Sequence, residues 1–146
     1  MTISPFPSFF RTPPIPPSWF AHFDNSDWEI DTQGSWDAGN SEWDSQYWPP
    51  GIEILSITEI GSWASGYKPT KIRITFTGAT DTAFSLKDIS SNVICSKGSG
   101  IDLSYTSGEE IECDFGSGQG DIYRLEVQAG QGADFSVTNI EFLAWD

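Results

Sequence analysis

Positive charge is scarce in this chain. Seven lysines and arginines stand against 21 aspartates and glutamates, for a formal net charge of −14. That balance excludes a phosphate-backbone binder, which needs clustered Lys and Arg to displace counterions. It also argues against docking on an anionic bilayer. The acids are scattered, so no acidic tail stands out, and the charge reads most simply as a solubility device. Histidine is nearly absent too: His22 is the only one. With one His and two separated cysteines, Cys95 and Cys113, a zinc centre has too few ligands. The cysteines form no CxxC; two buried thiols on strands are expected, with a disulfide compatible but not required. No apolar run approaches the length of a membrane span. No charged-then-apolar start resembles a signal peptide, so synthesis in a cytoplasm is expected.

Catalytic patterns are missing as well. Acyl chemistry needs a nucleophile beside a base, and glycoside hydrolysis needs paired carboxylates in a cleft. No Gly-x-Ser-x-Gly elbow occurs, and the acids Asp27, Glu29, Glu109 and Glu110 read as solvent-facing. Loop carboxylates Asp24, Asp27, Asp31, Asp81, Asp88 and Asp121 could offer hard oxygens to calcium, but no Asp-x-Asp-x-Asp-Gly loop is present. The glycine run Gly116–Gly120 lacks a lysine and reads as a hairpin turn. The expectation is a protein without enzyme activity, cofactor or metal.

Proline and aromatics are what the chain has in excess. Pro5, Pro7, Pro13, Pro14, Pro16 and Pro17 hold six of the nine prolines. Each removes a donor and fixes φ, so this stretch builds neither a helix nor an interior strand. Phe6, Phe9, Phe10 and Ile15 are interleaved, and Trp19 and Phe20 follow. Seventeen residues of polyproline II reach about 50 Å. Residues 1–20 therefore read as an anchoring arm outside the fold, with those six side chains as partner-binding anchors. An arm folded back on its own domain is the competing possibility.

Five of the seven tryptophans follow closely: Trp19, Trp28, Trp36, Trp43 and Trp48. Trp28 and Trp36 are expected in the core, where a ring buries a large area. Trp43, Tyr47, Trp48, Trp63 and Tyr67 are the candidates for stacking on sugar faces, joined by Trp36 if its ring is free. Beyond residue 50 the chain alternates as strands do. Lys71–Thr77 sets Ile72, Ile74 and Phe76 against Lys71, Arg73 and Thr75. Ala83–Lys87 turns Phe84 and Leu86 inward; Leu125 and Val127 do likewise with Tyr123. Ile52–Ile60, Asn92–Ser96, Ile101–Tyr105 and Ile111–Phe115 fit further strands. In the last strand, Phe135–Ala144, the apolar phase shifts between Val137 and Ile140, which predicts a bulge near Thr138-Asn139. Short strands are expected at Trp28–Ile30, Ser35–Asp37 and Glu42–Asp44. Many short strands with frequent turns predict an all-β jelly-roll β-sandwich over residues 21–146.

The order of features from FDNSDWEI and GSWDAGNSEW through IEILSITEI, SWASGYKPTK, IRITFTG, FSLKD, SYTSGEEIECDF and YRLEVQAG to FSVTNIEFLAW carries a resemblance. It resembles the carbohydrate-binding-module-type jelly rolls of bacteriophage virion proteins. The arm is not part of that pattern, and no catalytic or fibre segment follows the module. The resemblance implies a virion structural protein, a capsid decoration (cement) protein or a tail accessory subunit. Its implied partners are the major capsid protein or other virion subunits, and a homo-oligomer, a trimer, is expected. The implied location is the virion, after synthesis in a host cytoplasm. The alternative is a carbohydrate-binding or host-adsorption module, with glycans as ligands. Nucleic acid and membrane are not expected partners.

Overall fold

The computed structural model describes residues 18–47, 49–58, 69–98, 104–115, 124–129 and 134–144. Among them are eleven strands and no helix: β1 (Ser18–Ala21), β2 (Trp28–Gln33), β3 (Ser35–Asp37), β4 (Glu42–Asp44), β5 (Gly51–Ser56), β6 (Lys71–Thr77), β7 (Thr82–Lys87), β8 (Val93–Lys97), β9 (Glu110–Glu112), β10 (Arg124–Ala129) and β11 (Ser136–Ala144). One sheet runs β3-β4-β11-β6-β9, with β1 also on β11; the other runs β2-β5-β10-β7-β8. Every pairing is antiparallel. Strands β4 to β11 thus form two four-stranded layers, β4-β11-β6-β9 and β5-β10-β7-β8, the wiring of a jelly roll.

Alternation decides which faces meet. Ile72, Ile74 and Phe76 of β6 are buried, as are Ile52 and Ile54 of β5, Phe84 and Leu86 of β7, and Leu125 and Val127 of β10. Burying one such side chain stabilises the fold by roughly 1.5–3 kcal/mol before entropy is counted. In β11 the register on β6 shifts between Val137 and Asn139. The extra residue re-aims the strand, so Val137, Ile140 and Phe142 all point inward. At the next turn Gly78 has a φ of +95°, and a Cβ there would meet the Asp134 carbonyl at 2.6 Å. Only glycine allows that approach.

The tryptophans close one side of the sandwich. Trp28 is fully buried and its indole N–H donates to the His22 carbonyl at 2.7 Å. The Trp43 indole donates to the Phe23 carbonyl at 2.6 Å. Two indoles therefore grip consecutive peptide groups, and each buried N–H has its acceptor. Trp36 is half-buried, packed between Phe23 and Trp43 with ring centres 5.5 and 5.0 Å away.

A disulfide closes the other side, where two buried thiols were expected. Cys95 on β8 is joined to Cys113 just after β9, with Cα atoms 4.9 Å apart. That spacing lies within the range a disulfide requires. β8 and β9 are the edge strands of different sheets, so the bond ties the two layers together.

The arm boundary also shifts. Residues 1–17 lie outside the described residues, but Ser18–Ala21 are a strand. Trp19 lies opposite Leu143 and Phe20 opposite Phe142. Past Pro17 each of residues 18–21 has an N–H to donate, and the aromatic pair suits a pleated edge. Trp19 and Phe20 therefore belong to the sheet and are not free anchors.

Several acids have a local task. Asp24 accepts from Ser26 N, Asp37 from Gly39 N and Asn40 N, and Asp88 from Ser90 N and Asn92 N. These are side-chain turn closures. All three carboxyls lie below the usual aspartate range, chiefly through the Ser26 hydroxyl on Asp24, the Asn40 side-chain amide on Asp37 and the Asn92 N–H on Asp88, with the other bonds adding to these.

Candidate functional site

The sandwich has two outward faces, and both are polar by alternation. On the six-stranded sheet, Lys71 and Arg73 of β6 point out beside Glu141 of β11 and Glu110 and Glu112 of β9. Arg73 Nε lies 2.9 Å from Glu141 Oε1, and another guanidinium nitrogen 3.5 Å from Glu110. Lys71 Nζ lies 3.6 Å from both Glu110 and Glu112. The guanidinium carbon of Arg73 stands 3.9 Å from the centre of the Trp19 ring. Carboxylates outnumber cations three to two here, but each has a cation within 4 Å, and β1 covers part of the face.

The five-stranded sheet differs. Register places Gln33, Glu53, Glu126, Ser85 and Ser96 side by side across β2, β5, β10, β7 and β8. A groove of about 400 Å³ runs along this row, walled also by Pro49, Gly98 and Gln128. Gly51 leaves space there: a Cβ would fall 2.7 Å from Gln33 Oε1. Gln33 itself donates to the Gln46 carbonyl at 3.3 Å. In the wall, Glu53 and Glu126 are direct cross-strand partners. Glu126 has a counter-charge, Lys87 Nζ at 2.9 Å. Glu53 accepts a short hydrogen bond from the Thr32 hydroxyl. One row away, Arg124 Nε lies 2.9 Å from Asp31 Oδ2, a charge contact without aligned hydrogen-bond geometry.

A second depression, of about 350 Å³, lies at the sheet end between Asp44, Gln46, Tyr47, Thr77, Asp134 and Ser136. Tyr47 is 70% exposed and sits at a φ of +68°. Near it Asp37, Glu42 and Asp44 bring carboxylate oxygens within 4.8 Å of one another. Asp37 spends its oxygens on Gly39 and Asn40, and Asp44 accepts from the Ser136 hydroxyl at 2.7 Å.

A chain of Ser, His and Asp also exists. His22 Nε2 lies 2.7 Å from Ser56 Oγ, and Nδ1 lies 3.8 Å from Asp27 Oδ1. His22 is 3% exposed and Ser56 not at all, so no substrate reaches the hydroxyl. Ser56 further donates to the Thr58 carbonyl at 3.1 Å. Burial lowers the His22 pKa to about 4, against the pull of Asp27 and Asp24. The imidazole is a neutral structural link, not a general base.

Of the expected stacking residues, Trp43 is corrected: it is 1% exposed and its indole is committed to Phe23. A ring with no free face cannot stack a sugar. Tyr47 is exposed but lines the end depression and not the groove. Trp48, Trp63 and Tyr67, like Phe6, Phe9, Phe10 and Ile15, lie outside the described residues. The groove row was missed by sequence reasoning. Alternation marks Glu53, Ser85, Glu126 and Gln128 as outward, but only the strand order brings them together.

No protein-family model matches the chain, and no curated protein does. Among solved structures it is similar to a low-affinity xylan-binding module, CBM86, from the gut symbiont Roseburia intestinalis. Identity is 11%, the match covers 88% of this chain and 95% of that one, and the TM-score is 0.50. The likeness is one of fold: the chain is an all-β sandwich of two antiparallel sheets resembling a carbohydrate-binding module.

Proposed function

We propose that this chain is a non-catalytic glycan-binding module whose site is the groove on the five-stranded sheet. The observation that carries this is the row Gln33, Glu53, Glu126, Ser85 and Ser96. It lays amide, carboxylate and hydroxyl groups along an open trough, the donor and acceptor mix that orients sugar hydroxyls. The fold likeness to a xylan-binding module agrees with it. The only aromatic ring among the described lining residues is the core residue Phe84, so binding is weak.

A hydrolytic role finds no support in the site. A general acid works from an apolar pocket. Glu53 and Glu126 lie on a polar face, one beside Thr32 and the other beside Lys87. In the Ser56–His22–Asp27 chain, the hydroxyl and the imidazole are sealed from solvent.

Titration calorimetry against xylan, glucan and mannan oligosaccharides tests the proposal. The joint substitution Gln33→Ala, Gln128→Ala removes two wall amides and should weaken binding about thirtyfold, at roughly 1 kcal/mol for each of two hydrogen bonds. Absence of binding at millimolar sugar, or indifference to that substitution, sinks the groove. The capsid-decoration role expected from the sequence gains nothing from the comparisons. What supports it is the proline–aromatic composition of residues 1–17 and the sequence resemblance to virion jelly rolls, and neither is joined by a structural neighbour of that kind, so the glycan-binding alternative takes precedence.

A further inference from the structure

The charge balance of the groove narrows its ligand. Both charged side chains in its wall are carboxylates, Glu53 and Glu126. They are adjacent on neighbouring strands, an arrangement that costs stability unless a cation intervenes. One cation does: Lys87 reaches Glu126. The other cation of the neighbouring row, Arg124, is held by Asp31. Glu53 is left with a neutral partner, the Thr32 hydroxyl. The trough therefore carries one uncompensated negative charge among hydrogen-bonding groups.

We propose that the groove selects glycans bearing free amino groups, of the glucosamine type, and rejects uronic-acid polymers; this rests on the groove being the glycan site. An ammonium on the sugar would supply the cation that the Glu53–Glu126 pair lacks. Its hydrogen bond to a carboxylate is stronger than any a neutral hydroxyl makes there. A uronate would place a third negative charge in the same trough, in a chain whose net charge is already −14.

The test titrates the full chain with a glucosamine hexamer, the N-acetylated hexamer, xylohexaose and a hexagalacturonate. It is run at about pH 5.5 in salt strong enough to screen long-range attraction. The amine hexamer should bind at least about tenfold more tightly than the acetylated one, and the uronate should show no heat. Glu53→Gln should erase the preference. Glu112→Gln, on the opposite face, should leave it intact. Equal affinity for the two hexamers overturns the proposal while leaving a neutral-glycan groove standing. A preference that falls equally with Glu112→Gln reflects bulk charge and also overturns it. If no sugar binds, the groove itself is wrong. The comparison of hexamers on the native chain needs no variant, and melting curves check that each Gln substitution folds.

Discussion

The two outward faces are built by the same alternation and end in opposite states. On the six-stranded sheet, Lys71 and Arg73 are matched by Glu110, Glu112 and Glu141, and Trp19 caps the guanidinium. On the five-stranded sheet, Glu126 has Lys87 but its neighbour Glu53 has only the Thr32 hydroxyl, in an open trough. A face that satisfies its own charges has nothing left to offer a ligand. A face that leaves an acceptor underused has given up a little stability for a place to bind. The contrast is what favours the five-stranded face as the proposed glycan site.

The largest expected effect falls on what ties the faces together. Replacing both Cys95 and Cys113 by Ala should lower stability by about 3 kcal/mol, the value for a loop near this size. Urea unfolding measures it, and sugar affinity in the folded variant should be unchanged. A loss of affinity alongside stability would mean that the groove depends on the far edge.

Acid comes next. The folded-state pKa of His22, about 4, lies below its ordinary 6.5. As pH falls, the unfolded chain takes the proton first, so stability drops from about pH 6.5 to about 4 and levels below. The gap corresponds to a loss on the order of 3 kcal/mol. The turn carboxylates Asp24, Asp37 and Asp88 are shifted down, so they lose stabilisation only at lower pH. Urea melts at pH 7.5, 5.5 and 4.5 isolate the histidine. A flat profile across that window would contradict its buried, neutral state.

Trp19→Ala probes the satisfied face. It removes the ring over Arg73 and part of the strand's apolar cover, and should cost about 1–2 kcal/mol. Sugar binding should not respond. The smallest effect belongs to the open face: Glu53→Gln relieves a like-charge pair and should raise stability by no more than about 0.5 kcal/mol. If Glu53→Gln destabilised the chain as much as Trp19→Ala, the two faces would not differ as described.

Strands were legible wherever a run was long enough to alternate. Lys71–Thr77 was read residue for residue, and the bulge at Thr138-Asn139 followed from a break in phase. The short strands Ser35–Asp37 and Glu42–Asp44 were legible too, but not which way their rings point. A three-residue strand such as Glu42–Asp44 shows no period, so nothing in its sequence said that Trp43 points inward. Pro16 and Pro17 suggested an arm through residue 20, yet Ser18–Ala21 recover their donors and join β11. The disulfide and the groove share one cause of invisibility. Each joins residues from strands distant in the chain, and only the crossing pattern of the two sheets makes them neighbours.

Strand β1 has a further consequence. Ser18 lies directly opposite Ala144, and facing residues of antiparallel strands have Cα atoms roughly 4.5–5.5 Å apart. The first described residue and the end of the last strand thus share one corner of the six-stranded sheet. Residues 18 and 144 both leave the sandwich at that corner, on the layer that does not bear the groove. A support, a fluorophore or a fused enzyme joined directly at residue 18 or 144 would leave the proposed glycan groove on the opposite layer free. The same proximity makes the segment 18–144 a candidate for circular permutation: a short linker across the corner would let new ends be opened elsewhere with every described ladder preserved.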